Sequence, residues 1–388
     1  MSTMPSPHLA ITSPSHRIAA IDRLRGIVMV IMASDHASHA YYADAVMRDT
    51  AFLPSWSDPL PTLPFLFRWL SHLCAPVFVF LAGASIALGA ARCGDRDSQR
   101  RFDRDLLLRG LLLIALELSF ISAVWGAAFE TRFVCQVLWA IGSSMIAMIA
   151  LRRLPIAAAL ALGALLAAGI EAPLLSAASE NNDGSPGLPI ALFVSGGFGQ
   201  TVAVVYPTLP WLAVMLFGHA FGSHLARGGS GLRAAALGAL LGLGTWFGVE
   251  LGDGYGNLGM VGTHDSWLRW LQVSKYPPSL GFVGLELGLG CALLMGLFAI
   301  ERRPGVRPSE NGPLLVLGQT ALFFYVLHIA ILEGSGALLR ALLGGDAVAG
   351  GLPRTLLATF ATVALLWPAG VWFRAVRRRR AGSWLRLI

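Results

Sequence analysis

Residues 20–42 read AIDRLRGIVMVIMASDHASHAYY: a charged start (Asp22-Arg23-Leu24-Arg25-Gly26), an apolar run, and a polar end (Asp35-His36-Ala37-Ser38-His39). As a helix rising about 1.5 Å per residue, this stretch is long enough to cross a bilayer core of about 30 Å. With about 100° of turn per residue, Asp22 and His36 fall about 40° short of four full turns apart, and Arg25 and His36 about 20° past three. Asp22, Arg25, Met29, Met32 and His36 therefore share one stripe. It carries a charged pair at one end and a histidine about 20 Å away.

The rest of the chain repeats the apolar pattern. Further runs of membrane-span length lie at 65–91, 106–126, 133–151, 155–177, 200–225, 232–251, 279–300, 313–334 and 353–375,. Only 13% of the 388 residues are charged and 55% are hydrophobic. A soluble protein has about 25% charged residues, so the composition excludes a soluble enzyme. The net charge of +7 raises the question of nucleic acid, but the basic residues are scattered between apolar runs, which excludes that partner and points to a lipid bilayer,. The expected fold class is an all-α polytopic membrane protein of about ten transmembrane helices.

Ten spans place both termini on one side. Sorted by alternating side, 22 of the 29 Lys and Arg residues fall with the termini and seven fall opposite. By the positive-inside rule this predicts an N-in, C-in orientation. Residues 1–16, rich in Ser and Pro, are expected to be a disordered tail. Residues 17–376 form one transmembrane helical domain, and 377–388 a basic cytoplasmic tail. The first span is too long and too polar at its far end for a cleaved signal peptide. Cys74, Cys93, Cys135 and Cys291 form no CxxC pair, and no metal spacing is present,.

Ionisable groups inside spans are costly and mark pathways or sites. Asp22 with Arg25 reads as an i,i+3 ion pair at a helix start, or as the charged end of a ligand stripe. His36 beside Asp35, with His39 one turn on, suits proton transfer near neutral pH; the structural alternative is a histidine bonded to a loop. His72 precedes Pro76, which kinks the second span, and lies at a depth similar to His36. Glu117, Glu286, His219 and His328 also lie within spans, and for Glu117 the structural role is favoured. The turn Val273-Ser274-Lys275-Tyr276-Pro277-Pro278-Ser279 contains the one lysine of the chain, in a frame stiffened by two prolines,. Gly238 and Gly242 have the GxxxG spacing of helix packing.

Several stretches in order carry a resemblance: Arg17-x4-Asp22-x-Leu24-Arg25-Gly26, Met32-x2-Asp35-His36, His72-x3-Pro76 through Gly83, Gln136 through Gly142, Tyr206-x2-Leu209-Pro210-Trp211, the 274–279 turn, and Leu322 through His328. Together they resemble the membrane catalytic domain of heparan-α-glucosaminide N-acetyltransferase and its bacterial relatives, over nearly all of residues 17–375. The resemblance implies transfer of acetyl from cytoplasmic acetyl-CoA to a sugar amino or hydroxyl group of an extracytoplasmic glycan. It further implies a bacterial inner-membrane location and allows a homodimer.

On that reading His36, Asp35 and His72 are the catalytic candidates, and Arg23, Arg25 and Asp22 the cofactor-binding ones. Lys275, Tyr276, His39 and His328 are the substrate-binding candidates. One departure bears on the histidines. In the family's lysosomal member the key histidine lies in the loop before the second helix, and loop 43–64 here has none. The competing expectation is a proton-coupled transporter of a glycan precursor or small solute, in which Glu117, Glu286, His219 and His328 form the path.

Overall fold

The computed structural model describes residues 18–42, 62–126, 130–171, 187–252, 255–259, 267–305, 309–344, 350–380 and 384–387. The tail 1–16 and much of loops 43–64 and 178–199 lie outside them. Helix α1 (Ala19–Tyr41) is followed by α2 (Thr62–Leu70), a 3-10 turn (Ser71–Leu73) and α3 (Cys74–Ala90). Helix α4 (Arg96–Leu116) continues through a π-turn (Glu117–Ile121) into Ser122–Trp125. Then come α5 (Val137–Leu151), α6 (Ile156–Gly169), α7 (Thr208–Ala226) and α8 (Gly231–Glu250). Helices α9 (Leu280–Glu301), α10 (Pro313–Gln319), α11 (Ala321–Leu343) and α12 (Gly351–Arg379) complete the bundle.

Each of the ten apolar segments holds a helix. Among the described residues, seven helical segments are long and apolar enough to cross a membrane. The other three differ for separate reasons. Helix α1 is 23 residues long but carries Asp22, Arg23, Arg25 and Asp35. Helices α5 and α6 are apolar but only 15 and 14 residues long. The protein is an integral membrane protein by this count.

Boundaries move where local chemistry overrides hydropathy. Asp95 caps α4, accepting from Asp97 N and Ser98 N, so the helix starts at Arg96, ten residues before the apolar run,. The segment read as a span from residue 200 begins instead with strand β3 (Val202–Val204), and Pro207 caps α7. Strand β3 pairs in parallel with β1 (Phe133–Cys135) and antiparallel with β2 (Gly197–Phe198). Helix α12 runs to Arg379, taking in the first three residues of the stretch read as a tail.

The helix near 65–91 tightens into a 3-10 turn at Ser71–Leu73, just before Pro76, without leaving the helical region. The segment 313–334 breaks at Thr320, whose φ of −121° and ψ of 33° leave the helical region. That break matters for the site. It frees the carbonyls of Gly318 and Gln319, which accept from Arg25 Nη1 (3.2 Å) and Arg377 Nη2 (2.9 Å),.

Helix α1 sits among its neighbours rather than at the lipid, touching α3, α9, α10, α11 and α12, which explains how it tolerates four charges. Two crossings are close enough to require glycine. A Cβ on Gly26 or Gly318 would fall on the backbone of the facing helix between α1 and α10, and a Cβ on Gly218 would fall on the Phe80 carbonyl between α7 and α3. Gly238 and Gly242 likewise face Cys291 and Gly284 across the α8–α9 contact,. Gly218→Leu is expected to destabilise by about 3 kcal/mol, because backbone cannot rotate out of the way as a side chain can. Thermal unfolding in detergent checks this against Gly244→Leu, where an added Cβ meets nothing within 4 Å and little change is expected.

Candidate active site

The α1 stripe lines a cavity of about 520 Å³. Asp22, Arg25, Met29, Met32, Asp35 and His36 all contribute to its wall, so the helical spacing read from the sequence corresponds to a continuous surface in the fold. The cavity extends along α1 from an arginine-rich end to a histidine end about 20 Å away.

At the arginine-rich end, Arg25 does two things. Its Nη1 donates to Asp22 Oδ1 (2.9 Å) and its Nη2 to Ser85 Oγ (3.1 Å) on α3. Together with the bond to the Gly318 carbonyl, these tie α1 to α3 and to the α10–α11 break. Gln319 Nε2 donates to Asp22 Oδ2 (3.1 Å), and Gln319 Oε1 accepts from Arg374 Nη1 (3.0 Å). The Asp22–Arg25 pair is thus a clamp between four helices as well as part of the wall. Arg92, Arg109 and Arg377 line the same end. Composition and periodicity did not single them out, because Arg92 lies in the turn after α3, Arg109 on α4 and Arg377 on α12. Arg23 is absent from the wall; its Nη1 lies 3.8 Å from Glu301 Oε1.

At the other end, His36 Nδ1 lies 2.8 Å from His328 Nε2, and His328 Nδ1 lies 2.9 Å from the Phe324 carbonyl. The Trp125 ring packs near His36, with centroids 5.8 Å apart. Asp35 does not bond to His36. Its Oδ1 pairs instead with Arg68 Nη1 at 2.5 Å, and Arg68 is buried. Nothing near Arg68 in sequence marks it as Asp35's partner, since the two are 33 residues apart.

Lys275 is buried and lines the cavity. Its turn is held by Asn257, whose Oδ1 accepts from Ser274 N (3.0 Å) and Ser279 Oγ (3.0 Å). The turn is present, held by side-chain hydrogen bonds that the sequence did not reveal. Tyr276 stands outside the cavity wall, and its ring packs against Tyr206, centroids 5.6 Å apart. Tyr206 lines the cavity. Burial and the neighbouring Tyr276 hydroxyl push the Tyr206 phenol well above its ordinary pKa, so it is an O–H donor at any physiological pH.

The remaining candidates sit apart from the cavity wall. His72 lies on the 3-10 turn, buried against Phe282 with centroids 5.9 Å apart. His39 is exposed and packs on Trp125 at 5.1 Å. His328 lies behind His36, off the cavity wall. Glu117 accepts from Gln136 N (2.7 Å) and Leu138 N (2.9 Å), capping the start of α5,. This is the structural role favoured from its sequence. Glu117, Glu286, His219 and His328 do not line the cavity, so they make no continuous path through it.

Comparison with known proteins bears on residues 17–248, which match the family model described as Heparan-alpha-glucosaminide N-acetyltransferase, catalytic. That is more than half of the chain; the Lys275 turn and His328 lie beyond the match. No curated protein matches the chain.

Proposed function

The chain belongs to the heparan-α-glucosaminide N-acetyltransferase catalytic family, a family of transmembrane acetyltransferases, and from that premise we propose that it carries acetyl from acetyl-CoA to a sugar across the membrane. The arginine-rich end faces the cytoplasm, both termini lie on that side, and the membrane is the bacterial cytoplasmic membrane. The acceptor is an amino or hydroxyl group of an extracytoplasmic glycan.

The observation that carries this reading is the cavity itself. One wall joins guanidinium groups at one end to an imidazole at the other. Arg92, Arg109 and Arg377 suit the CoA phosphates, since guanidinium pairs with phosphate through charge-assisted hydrogen bonds. The apolar Met29 and Met32 stretch between the ends suits the pantetheine arm, and the thioester then arrives beside His36.

His36 Nε2 takes the proton from the acceptor hydroxyl or amine as the acceptor atom bonds to the acetyl carbon. The carbon–sulfur bond breaks, and the departing CoA thiolate receives that proton from His36. Lys275 and the Tyr206 O–H are the groups of the wall suited to the negative charge on the carbonyl oxygen. The transporter reading loses support because none of its four path residues lines the cavity.

Titration calorimetry with CoA on the detergent-purified protein tests the donor site. Arg92→Gln combined with Arg109→Gln is expected to weaken CoA binding by about a hundredfold or more, since each charge-assisted bond contributes about 1.5–3 kcal/mol. If the unaltered protein does not bind CoA, the reading fails.

A further inference from the structure

We propose that His328 is a positioning residue that sets the tautomer of His36 through a histidine–histidine–carbonyl relay, rather than a residue that touches the acceptor. The role given to His36 rests on the function proposed above; the relay itself rests on geometry.

The relay begins at a backbone carbonyl. The Phe324 carbonyl can only accept, so His328 Nδ1, 2.9 Å away, carries a proton,. In a neutral imidazole the other nitrogen is then bare. His328 Nε2 is therefore an acceptor, and the group 2.8 Å from it, His36 Nδ1, is its donor. With Nδ1 protonated, neutral His36 presents a bare Nε2. The opposite tautomer of His36 would set two lone pairs against each other at 2.8 Å.

Ring geometry agrees. The two imidazole planes are 4° from parallel, with centroids 5.0 Å apart. Aromatic faces pack no closer than about 3.5 Å, so a 2.8 Å nitrogen contact between parallel rings joins them edge to edge in nearly one plane, along the direction an N–H···N bond requires. His328 is fully buried, and its ring also lies against Phe324, centroids 5.1 Å apart. It does not line the cavity, whereas His36 does. The lone pair that His328 fixes therefore belongs to the ring that can meet a substrate.

The relay also survives the reaction. When His36 Nε2 takes a proton, Nδ1–H still donates to His328, so no group must turn between the two protonation states. Asp35 directs its Oδ1 to Arg68 instead, and the partner of His36 Nδ1 is His328.

The test uses the full chain in detergent, with acetyl-CoA as donor and glucosamine as acceptor, following CoA release. His328→Phe keeps the ring and removes the acceptor nitrogen; His328→Gln restores an acceptor. His328→Phe is expected to lower kcat about 100-fold or more, as loss of a tautomer-fixing partner does in hydrolytic triads, with both KM values within about threefold. His328→Gln is expected to recover at least tenfold of that loss. Solid-state NMR of ¹⁵N-histidine protein, with His36→Ala to assign the signal, is expected to show His36 protonated at Nδ1. That measurement holds even if His328→Phe does not fold.

An Nε2-protonated His36 in the unaltered protein overturns the relay. So does a His328→Phe variant with unchanged kcat, or one in which only the acceptor KM rises. If His36→Ala keeps full turnover, the catalytic role of His36 falls instead, and the NMR result still judges the relay.

Discussion

His36→Ala is expected to lower acetyl transfer by about 10³-fold or more while leaving CoA binding intact, the upper part of the range for a positioned general base. The expectation rests on the separation of functions along the cavity. The guanidinium groups that suit the donor lie at one end, and the imidazole lies about 20 Å along α1. Removing the ring deletes the base without touching the donor site. His72→Ala is the informative companion. Both histidines were sequence candidates at similar depth, but His72 lies against Phe282 and away from the cavity wall. A much smaller loss of turnover is expected there. Single-turnover release of CoA thiol, alongside calorimetry of CoA binding, separates chemistry from affinity. Intact turnover in His36→Ala, or an equal loss in His72→Ala, would contradict the proposed site.

The second large effect concerns stability. Arg68 and Asp35 form a buried pair at 2.5 Å, with Arg68 only 8% exposed. Replacing Arg68 by Met leaves a carboxylate in a low-dielectric site with its main counter-charge gone, a change that costs about 3–5 kcal/mol. Adding Asp35→Asn removes the stranded charge, and the double variant is expected to recover most of the loss. Unfolding transitions of the four proteins in the cycle give the coupling directly. A double variant whose loss equals the sum of the two single losses would show that the pair carries no coupling. Because Asp35 also lines the cavity, the double variant further tests whether its charge is needed for turnover once the fold is restored.

Much of this architecture was legible before any coordinates. Low charge and repeated apolar runs define a helical membrane protein, because a chain in lipid must satisfy its backbone hydrogen bonds internally. The stripe of Asp22, Arg25, Met29, Met32 and His36 was legible for a similar reason. It lies within one helix, where spacing along the chain translates directly into angle and rise. The stiff turn around Lys275 was visible in its prolines. The structural role of Glu117 was the favoured reading, though its bonds to the start of α5 were not visible.

What the sequence could not show are the partners that meet from different helices. His328 reaches His36 across 292 positions, Arg68 reaches Asp35 across 33, and Gln319 reaches Asp22 across 297. No periodicity encodes such meetings. They follow from helix crossings, some allowed only by glycines at the contact, and from the break at Thr320 that turns two carbonyls toward arginines.

The same distinction sorts the histidines. Sequence placed His36 and His72 as catalytic candidates and His39 and His328 as substrate-binding ones, each a polar residue in or beside an apolar span. Packing alone put His36 on the cavity wall and His328 behind it, with His72 against Phe282 and His39 exposed beside Trp125. By itself the sequence determined the membrane class, the helices and the stripe, since these depend on local composition and period. Only the tertiary structure decided which ring nitrogen meets which partner, because hydrogen-bond geometry between helices is set by how their surfaces pack.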